Sequence, residues 1–341
     1  MLGRVGPPPS QTAAVPSATA IAAAFGLGTP IGALDPVDRA WSHAVYRLDT
    51  DRGSYAVKVL RDPWDDERWQ QRLEVAWAFE LTAYDAGVAM PQPIPEPHDV
   101  GCLAWVEVAA GDPVPTRVHR WVTGRQAPLR PVAIEVARWA GTTLAALHAL
   151  AVVPAPESST SADDPVVQRW EQLIESARRL GAPWADELEA VHASVATVAE
   201  LAAASPAGAG RVMSHGDVDQ KNLLLGPAGP VLCDWDVAAG VVPRRELADV
   251  ALSMAGWSEE EIGRQVVASY RERHALDGVI EPSDLGPSLL SSVDWLALNV
   301  ERALGLRGDV AALGARLVPE LLAELPLHVA VALRVTDFLR G

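Results

Sequence analysis

Apolar positions recur along this chain with two different periods, and the period changes near residue 131. Before that point, Val45 to Leu48 and Tyr55 to Leu60 are strand-like runs. The turn signal DTDRG joins them, so HAVYRLDTDRGSYAVKVLR predicts a β-hairpin. Upstream, AIAAAFGLG predicts a short helix closed by glycine. Downstream, DERWQQRLEVAWAFELTAYDAG is a long helical run ending at Gly87. The Pro-rich MPQPIPEP breaks the chain, and strands are expected over Cys102 to Val108 and Val118 to Val122. From about Pro131, VAIEVARWAGTTLAALHAL, DPVVQRWEQLIESARRLG and DELEAVHASVATVAELAAA place apolar residues at helical spacing. Helices resume at Leu247 and run to the C-terminus. A small β insert interrupts them: NLLL (Asn222 to Leu225) and VLCD (Val231 to Asp234), with the turn signal GPAGP between.

Strands with one helix, followed by mostly helices, predict an α+β protein with a sheet-based N-terminal lobe and a helical C-terminal lobe. The expected boundaries are a disordered leader at 1–18, rich in Pro, Ala and Gly, a first lobe at 19–124 and a second at 125–341. No internal repeat is visible.

Length and composition narrow the function. At 341 residues the chain suits two lobes better than one core. No apolar run has the roughly 18 to 20 residues of a membrane span, and the leader lacks the apolar centre of a signal peptide. A cytoplasmic protein is expected. The formal charge of −16 argues against nucleic acid and anionic membranes as partners and permits a cationic substrate. The two cysteines, Cys102 and Cys233, lie in apolar runs without metal spacing and read as buried free thiols. Nothing in the sequence fixes an oligomeric state.

The β insert carries the chemistry. SHGDVDQKNLLLGPAGPVLCDWDVAAG puts carboxylates at both ends of a short apolar hairpin. If its turn is symmetric, Leu225 faces Val231 and Asn222 faces Asp234, with Cβ atoms about 5 Å apart. Asp217 lies in the loop just upstream. Three oxygen-bearing side chains so disposed suit Mg²⁺, which prefers hard oxygen ligands and usually shares them with phosphates. Each alone reads as an ordinary turn or cap residue; the spacing makes them a set. Asp236 points to the same side of an extended chain as Asp234 and is expected at the surface or behind it.

H-G-D-x-x-x-x-N followed by an apolar strand and D-W resembles the aminoglycoside phosphotransferase family, small-molecule kinases with a protein-kinase-like, bilobal fold. The match covers His215, Gly216, Asp217, Asn222, Asp234 and Trp235, with Gly240 and Asp249 of ELADVAL fitting more loosely. The resemblance implies that Asp217 is the catalytic carboxylate near the acceptor hydroxyl. It implies that Asn222 and Asp234 hold Mg²⁺ on the phosphates of ATP or GTP, and that His215 is structural.

A kinase also needs a cation on the nucleotide phosphates. Lys58 stands in the middle of the strand SYAVKVL, and AVK resembles the family's strand lysine. Its partner is expected on the following helix, at Glu74 or, failing that, Glu80. Six positions separate these two, about 240° around a helix, so they cannot serve one role equally. Glu74 is chosen. The expected glycine-rich loop is absent from DRAWSHAVYRL, where Ser42 is the phosphate-contacting candidate. By the resemblance, the backbone of Trp121, Val122 and Thr123 binds the purine. DWLALNVERAL supplies Asp294, Asn299 and Glu301 as acceptor-binding candidates, and His148 in LAALHAL reads as a satisfied core histidine. Residues 157–200 hold nine acidic and three basic side chains, a net of −6, as an acceptor site for a cationic drug would. The implied activity is phosphoryl transfer to a hydroxyl of a small molecule, with an antibiotic as the first choice. The alternatives are a metabolite such as choline, homoserine, a sugar or a nucleoside-like compound, or a kinase-like binding module without catalysis.

Overall fold

The computed structural model describes residues 15–37, 43–60, 68–98, 101–109, 111–128, 131–155, 166–205, 210–276, 278–307 and 311–340. Ser42 and the first fourteen residues of the expected leader lie outside them.

In chain order the first elements are α1 (Ala18–Ala24), β1 (Asp35–Pro36), β2 (Ala44–Thr50), β3 (Gly53–Val59) and α2 (Trp69–Asp85). Next come β4 (Pro93–Ile94), β5 (Ala104–Val106), β6 (Val114–Arg120) and β7 (Arg125–Gln126). Four helices follow: α3 (Ile134–Ala149), α4 (Val166–Leu180), α5 (Ala185–Ala190) and α6 (His192–Ala204). Then come β8 (Val212–Ser214), β9 (Leu223–Gly226), β10 (Gly229–Leu232) and β11 (Ala239–Val241). The chain finishes with α7 (Pro243–Met254), α8 (Glu260–Arg271), α9 (Gly286–Ala303), α10 (Ala311–Ala332) and α11 (Val335–Phe338).

Two compact units divide these elements. The first is the chain up to Ala127 together with Asn222–Ala239. The hairpin, expected within the helical lobe, is thus counted with the sheet. That sheet is antiparallel, in the order β1-β2-β3-β6-β4, with β5 also on β6. Ser17, placed by sequence in the leader, caps α1, its Oγ accepting the Ala20 N–H at 3.1 Å. Period-2 alternation gives the sheet two unlike faces. Tyr55, Val57, Val59 and Val118 are buried on one, with Ile21 and Phe25 of α1. Lys58 and Arg117 lie on the other, where α2 presents Leu73, Trp77 and Glu80 at helical spacing.

The hairpin departs from its expected register. Leu223 pairs with Leu232 and Leu224 with Val231, so the turn is the two residues Pro227 and Ala228. Asn222 therefore lies opposite Cys233, whose N–H it accepts at 2.8 Å, instead of opposite Asp234. β7 pairs with the other edge of β9, completing a three-stranded sheet. Cys102 is buried and Cys233 half-buried; neither forms a disulfide. Burial pushes their thiols up to about 11 and about 12, which keeps both protonated at neutral pH.

The second unit spans 128–221 and 240–341 and is helical. Leu144 and Leu147 of α3 are buried with Leu247 of α7 and Val266 and Tyr270 of α8. Gly141 is required there: a Cβ would sit 2.2 Å from the Val266 carbonyl. The run expected as one helix from Asp186 splits at Val191 into α5 and α6. α10 retains Pro319 and Pro326 in its interior.

Candidate active site

Two groups of polar side chains stand out, one in each unit. In the sheet unit, Lys58 Nζ lies 2.5 Å from Asp234 Oδ1 and 2.6 Å from Asp236 Oδ2. Lys58 and Asp234 are 176 residues apart in sequence. Arg117, fully buried, pairs through Nη1 with Asp236 Oδ1 and through Nη2 with Glu80 Oε2. His119 Nε2 meets Glu80 Oε1 at 2.7 Å. Burial opposes the charges of Lys58, Arg117, Asp236 and Glu80, yet their partners outweigh it. Asp236 and Asp234 hold the Lys58 ammonium above its ordinary range. Lys58 and Arg117 hold the Asp236 carboxyl far below its own, and Arg117 and His119 do the same for Glu80.

Local backbone explains how two aspartates two residues apart reach one ammonium. Asp234 is in the left-handed region, φ 66° and ψ 63°, and residues Trp235–Val237 make a 3-10 turn. The segment is not extended, as the sequence suggested. Of the two places expected for Asp236, at the surface or behind Asp234, it takes the buried one and is doubly paired. A non-glycine residue in this region costs on the order of 1–2 kcal/mol, and the Lys58 contact offsets that cost.

Glu74 does not meet Lys58. It is exposed on α2 and has no ion pair among the described residues. Glu80 faces inward but goes to Arg117. The residue that sequence reasoning missed is Arg117, one position before the strand expected at Val118.

Trp121 donates its N–H to the Ser54 carbonyl at 3.0 Å, extending the β3–β6 pairing, and Arg47 lies 5.2 Å from its ring. Val122 is half-buried and Thr123 exposed. Gly226 abuts the Thr123 carbonyl.

In the helical unit, Asp217 follows β8 in a tight loop. Gly216, at φ 78°, makes the turn, and its N–H donates to Glu246 Oε1 at 2.8 Å. His215 is fully buried, and its Nδ1 accepts the Asp217 N–H at 3.2 Å, a structural part. Lys221 Nζ lies 3.0 Å from Asp217 Oδ1. Below the loop, Asp219 Oδ2 accepts the Ser253 hydroxyl at 2.7 Å. His148 bonds Glu246 Oε2 at 2.7 Å and the Tyr270 hydroxyl at 2.8 Å, a satisfied core histidine.

The three acceptor candidates on α9 diverge. Asn299 is fully buried, its Nδ2 donating to the Trp295 carbonyl at 2.8 Å within its own helix. Glu301 and Asp294 both pair with Arg169 of α4, at 2.8 and 3.5 Å. Burial nudges the Asp294 carboxyl upward against the pull of Arg169.

The donor set fits Mg²⁺. Lys58 and Arg117, with the His119 ring on Glu80, face three carboxylates, of which Asp234 is the open one, its side chain 47% exposed. Asn222, which the sequence pairs with Asp234 as a ligand, is buried at the end of the 3-10 turn that opens the hairpin. No group of three or more His, Cys, Asp or Glu among the described residues is arranged to hold a metal alone.

The model of the phosphotransferase enzyme family matches residues 34–279. No curated protein sequence matches significantly. Among solved structures, a spectinomycin phosphotransferase in complex with ADP and spectinomycin is similar at a TM-score of 0.66 and 12% identity. The match covers 94% of this chain and 98% of that one. An aminoglycoside phosphotransferase from Alicyclobacillus acidocaldarius matches at 0.56 and 16%, over 96% and 98%. A microcompartment-associated aminopropanol kinase matches at 0.54 and 17%, over 90% and 94%. These likenesses establish the protein-kinase-like fold of small-molecule kinases. Among the described residues no helix is long and apolar enough to cross a membrane.

Proposed function

The chain belongs to the phosphotransferase enzyme family, and from that premise we propose that it is a cytoplasmic, Mg²⁺-dependent kinase that moves the γ-phosphate of ATP or GTP to a hydroxyl of an antibiotic. The observation that carries the donor half of this reading is the cluster of Lys58, Asp234 and Asp236, drawn from distant parts of the sequence onto one ammonium. Lys58 binds the nucleotide phosphates, and Asn222 and Asp234 hold the metal. Bound Mg²⁺ neutralises charge on those phosphates. Val122 and Thr123, with the Trp121 carbonyl, bind the base. Asp217 accepts a hydrogen bond from the acceptor hydroxyl, orients it and takes its proton. Catalysis on this plan is positioning and charge neutralisation.

The antibiotic acceptor is supported by the solved spectinomycin phosphotransferase of the same fold and by the acidic stretch at 157–200, which suits a cation. The aminopropanol kinase of the same fold keeps a metabolic amino alcohol as the second reading. Incubating the protein with Mg²⁺ and ATP or GTP against aminoglycosides, spectinomycin, macrolides, nucleosides and amino alcohols, with mass spectrometry of the acceptor, tests both. A phosphate added to an amino alcohol alone overturns the antibiotic reading.

A further inference from the structure

Lys58 on β3 and Arg117 on β6 are cross-strand partners. Residues so opposed have Cβ atoms about 5 Å apart, and like charges there repel. Both are inside: the Arg117 side chain is 1% exposed and that of Lys58 15%. Two neighbouring cations persist in such a place only if carboxylates divide them. Asp236 does so, one oxygen on Lys58 Nζ at 2.6 Å and the other on Arg117 Nη1. The second amino group of Arg117 holds Glu80 of α2, and the Trp77 ring lies 5.5 Å from its guanidinium carbon. A planar guanidinium can grip two carboxylates in fixed directions; an ammonium cannot.

We propose that Arg117 is a positioning residue for phosphoryl transfer: it takes the carboxylate of α2 and, through the shared Asp236, fixes the Lys58 ammonium where it meets Asp234. The inference rests on the reading of Lys58 as the cation on the nucleotide phosphates. Without Arg117, Asp236 keeps Lys58 as its main neutralising partner, with a smaller contribution from His43. It draws the ammonium inward, away from Asp234. A side chain that only braced the fold would behave differently, since nucleotide binding would be normal in any variant that stays folded with its buried charges balanced.

The test uses the full chain and three variants. Lys58→Met probes the underlying reading. Arg117→Met with Glu80→Gln removes both ends of the buried pair, because Arg117→Met alone strands a carboxylate. Arg117→Lys keeps the charge and loses the fork. Folding is checked by thermal melting. The readouts are the Kd for Mg²⁺ with AMP-PNP and the rate at which an acyl phosphate of ATP acylates Lys58, followed by peptide mass spectrometry. Both Arg117 variants are expected to weaken AMP-PNP and slow acylation by about tenfold to 10²-fold, the scale of a group misplaced by about 1 Å. Wild-type binding and acylation in a folded Arg117 variant overturn the proposal, and if the double variant does not fold, Arg117→Lys decides alone. In that case weakened AMP-PNP binding by Lys58→Met shows that the Lys58 reading stands. Normal AMP-PNP binding by Lys58→Met instead removes the reading of Lys58, and the proposal with it.

Discussion

Glu246 on α7 accepts the Gly216 N–H at 2.8 Å, so a buried carboxylate fixes the turn that presents Asp217. Its other oxygen takes His148 Nε2 at 2.7 Å. Burial pushes the Glu246 carboxyl up, but the His148 hydrogen bond and charge, with help from Ser214 and the Gly216 N–H, bring it below its ordinary range. A carboxyl depressed by folding contributes stability above its unfolded pKa, about 4.3, and loses it as pH falls through the folded value. Thermal melts should therefore show a steep acid limb below about pH 4.3 in the wild type and a shallower one in Glu246→Gln. At pH 7 that variant should be less stable by about 1–3 kcal/mol, a buried charged hydrogen bond having been lost.

Asp249, one turn along α7, shifts the opposite way. Its carboxyl is pushed up to about 6: burial raises it most, the Ser288 hydroxyl opposes, and the charges of Asp217, Glu246 and Asp219 add to the rise. A carboxyl raised by folding penalises the native state once it ionises. Asp249→Asn should gain melting temperature at pH 8 and gain much less at about pH 3.5, below the unfolded pKa of about 3.9, where the carboxyl is neutral in the folded state and mostly so in the unfolded one. Equal gains at both values would contradict this.

Asp217→Ala should lower kcat by on the order of 10²-fold or more while the Kd for nucleotide stays near wild type, as expected of a group that acts on the acceptor proton. Single-turnover phosphorylation and a separate nucleotide titration decide it. Near-normal turnover removes Asp217 from the reaction.

Asp234 and Asp236 share Lys58 yet should fail differently. Asp234 is half-exposed, so Asp234→Ala should lower stability only by about 1–2 kcal/mol, the left-handed strain no longer offset by Lys58, and should raise the Mg²⁺ needed for half-maximal rate. Asp236→Ala leaves Arg117 and Lys58 without a shared anion and should cost about 3–5 kcal/mol in urea unfolding. A reversed pattern would make the second aspartate the metal ligand.

If the acceptor is a polycation, kcat/KM should fall as salt rises, because the Debye length shrinks from about 30 Å at 0.01 M to about 10 Å at 0.1 M. Among the helical acids, Glu189 is already paired with Arg178. Glu187 lines a cavity of about 300 Å³ with Trp184, Val191 and Leu322. Neutralising Asp186 and Glu187 should reduce the salt dependence more than neutralising Glu189. A flat profile points to an uncharged acceptor and leaves the kinase assignment standing.

Local order was legible wherever one strong signal acted alone. Ala56, Lys58 and their neighbours alternate as the strand period requires, and α2 and α3 follow their apolar spacing. The hairpin register was not, because GPAGP allows either a five-residue turn or the two-residue turn at Pro227 and Ala228, and the difference moves Asn222 from Asp234 to Cys233. Arg117 left no periodic trace: its partners stand 37 residues before it and 119 after it. The apolar run after Glu74 (Trp77, Phe79, Leu81) favours it over Glu80, and nothing local to the helix reveals the arginine on β6 that takes Glu80. Asp236 was expected at the surface or behind Asp234, and only the 3-10 turn, in place of extended chain, decides for the buried position.

The 119 residues between Arg117 and Asp236 also set an order on the ribosome. At about 5–20 residues per second, Asp236 is made roughly 6–24 s after Arg117. During that interval the nascent sheet holds two neighbouring cations and one glutamate. It lacks the aspartates that balance them and the strand β9 that pairs with β7. The newborn N-terminal segment is thus a client for chaperones until the hairpin arrives, and a stop codon before Asp236 should yield an aggregating or rapidly degraded fragment instead of a nucleotide-binding half.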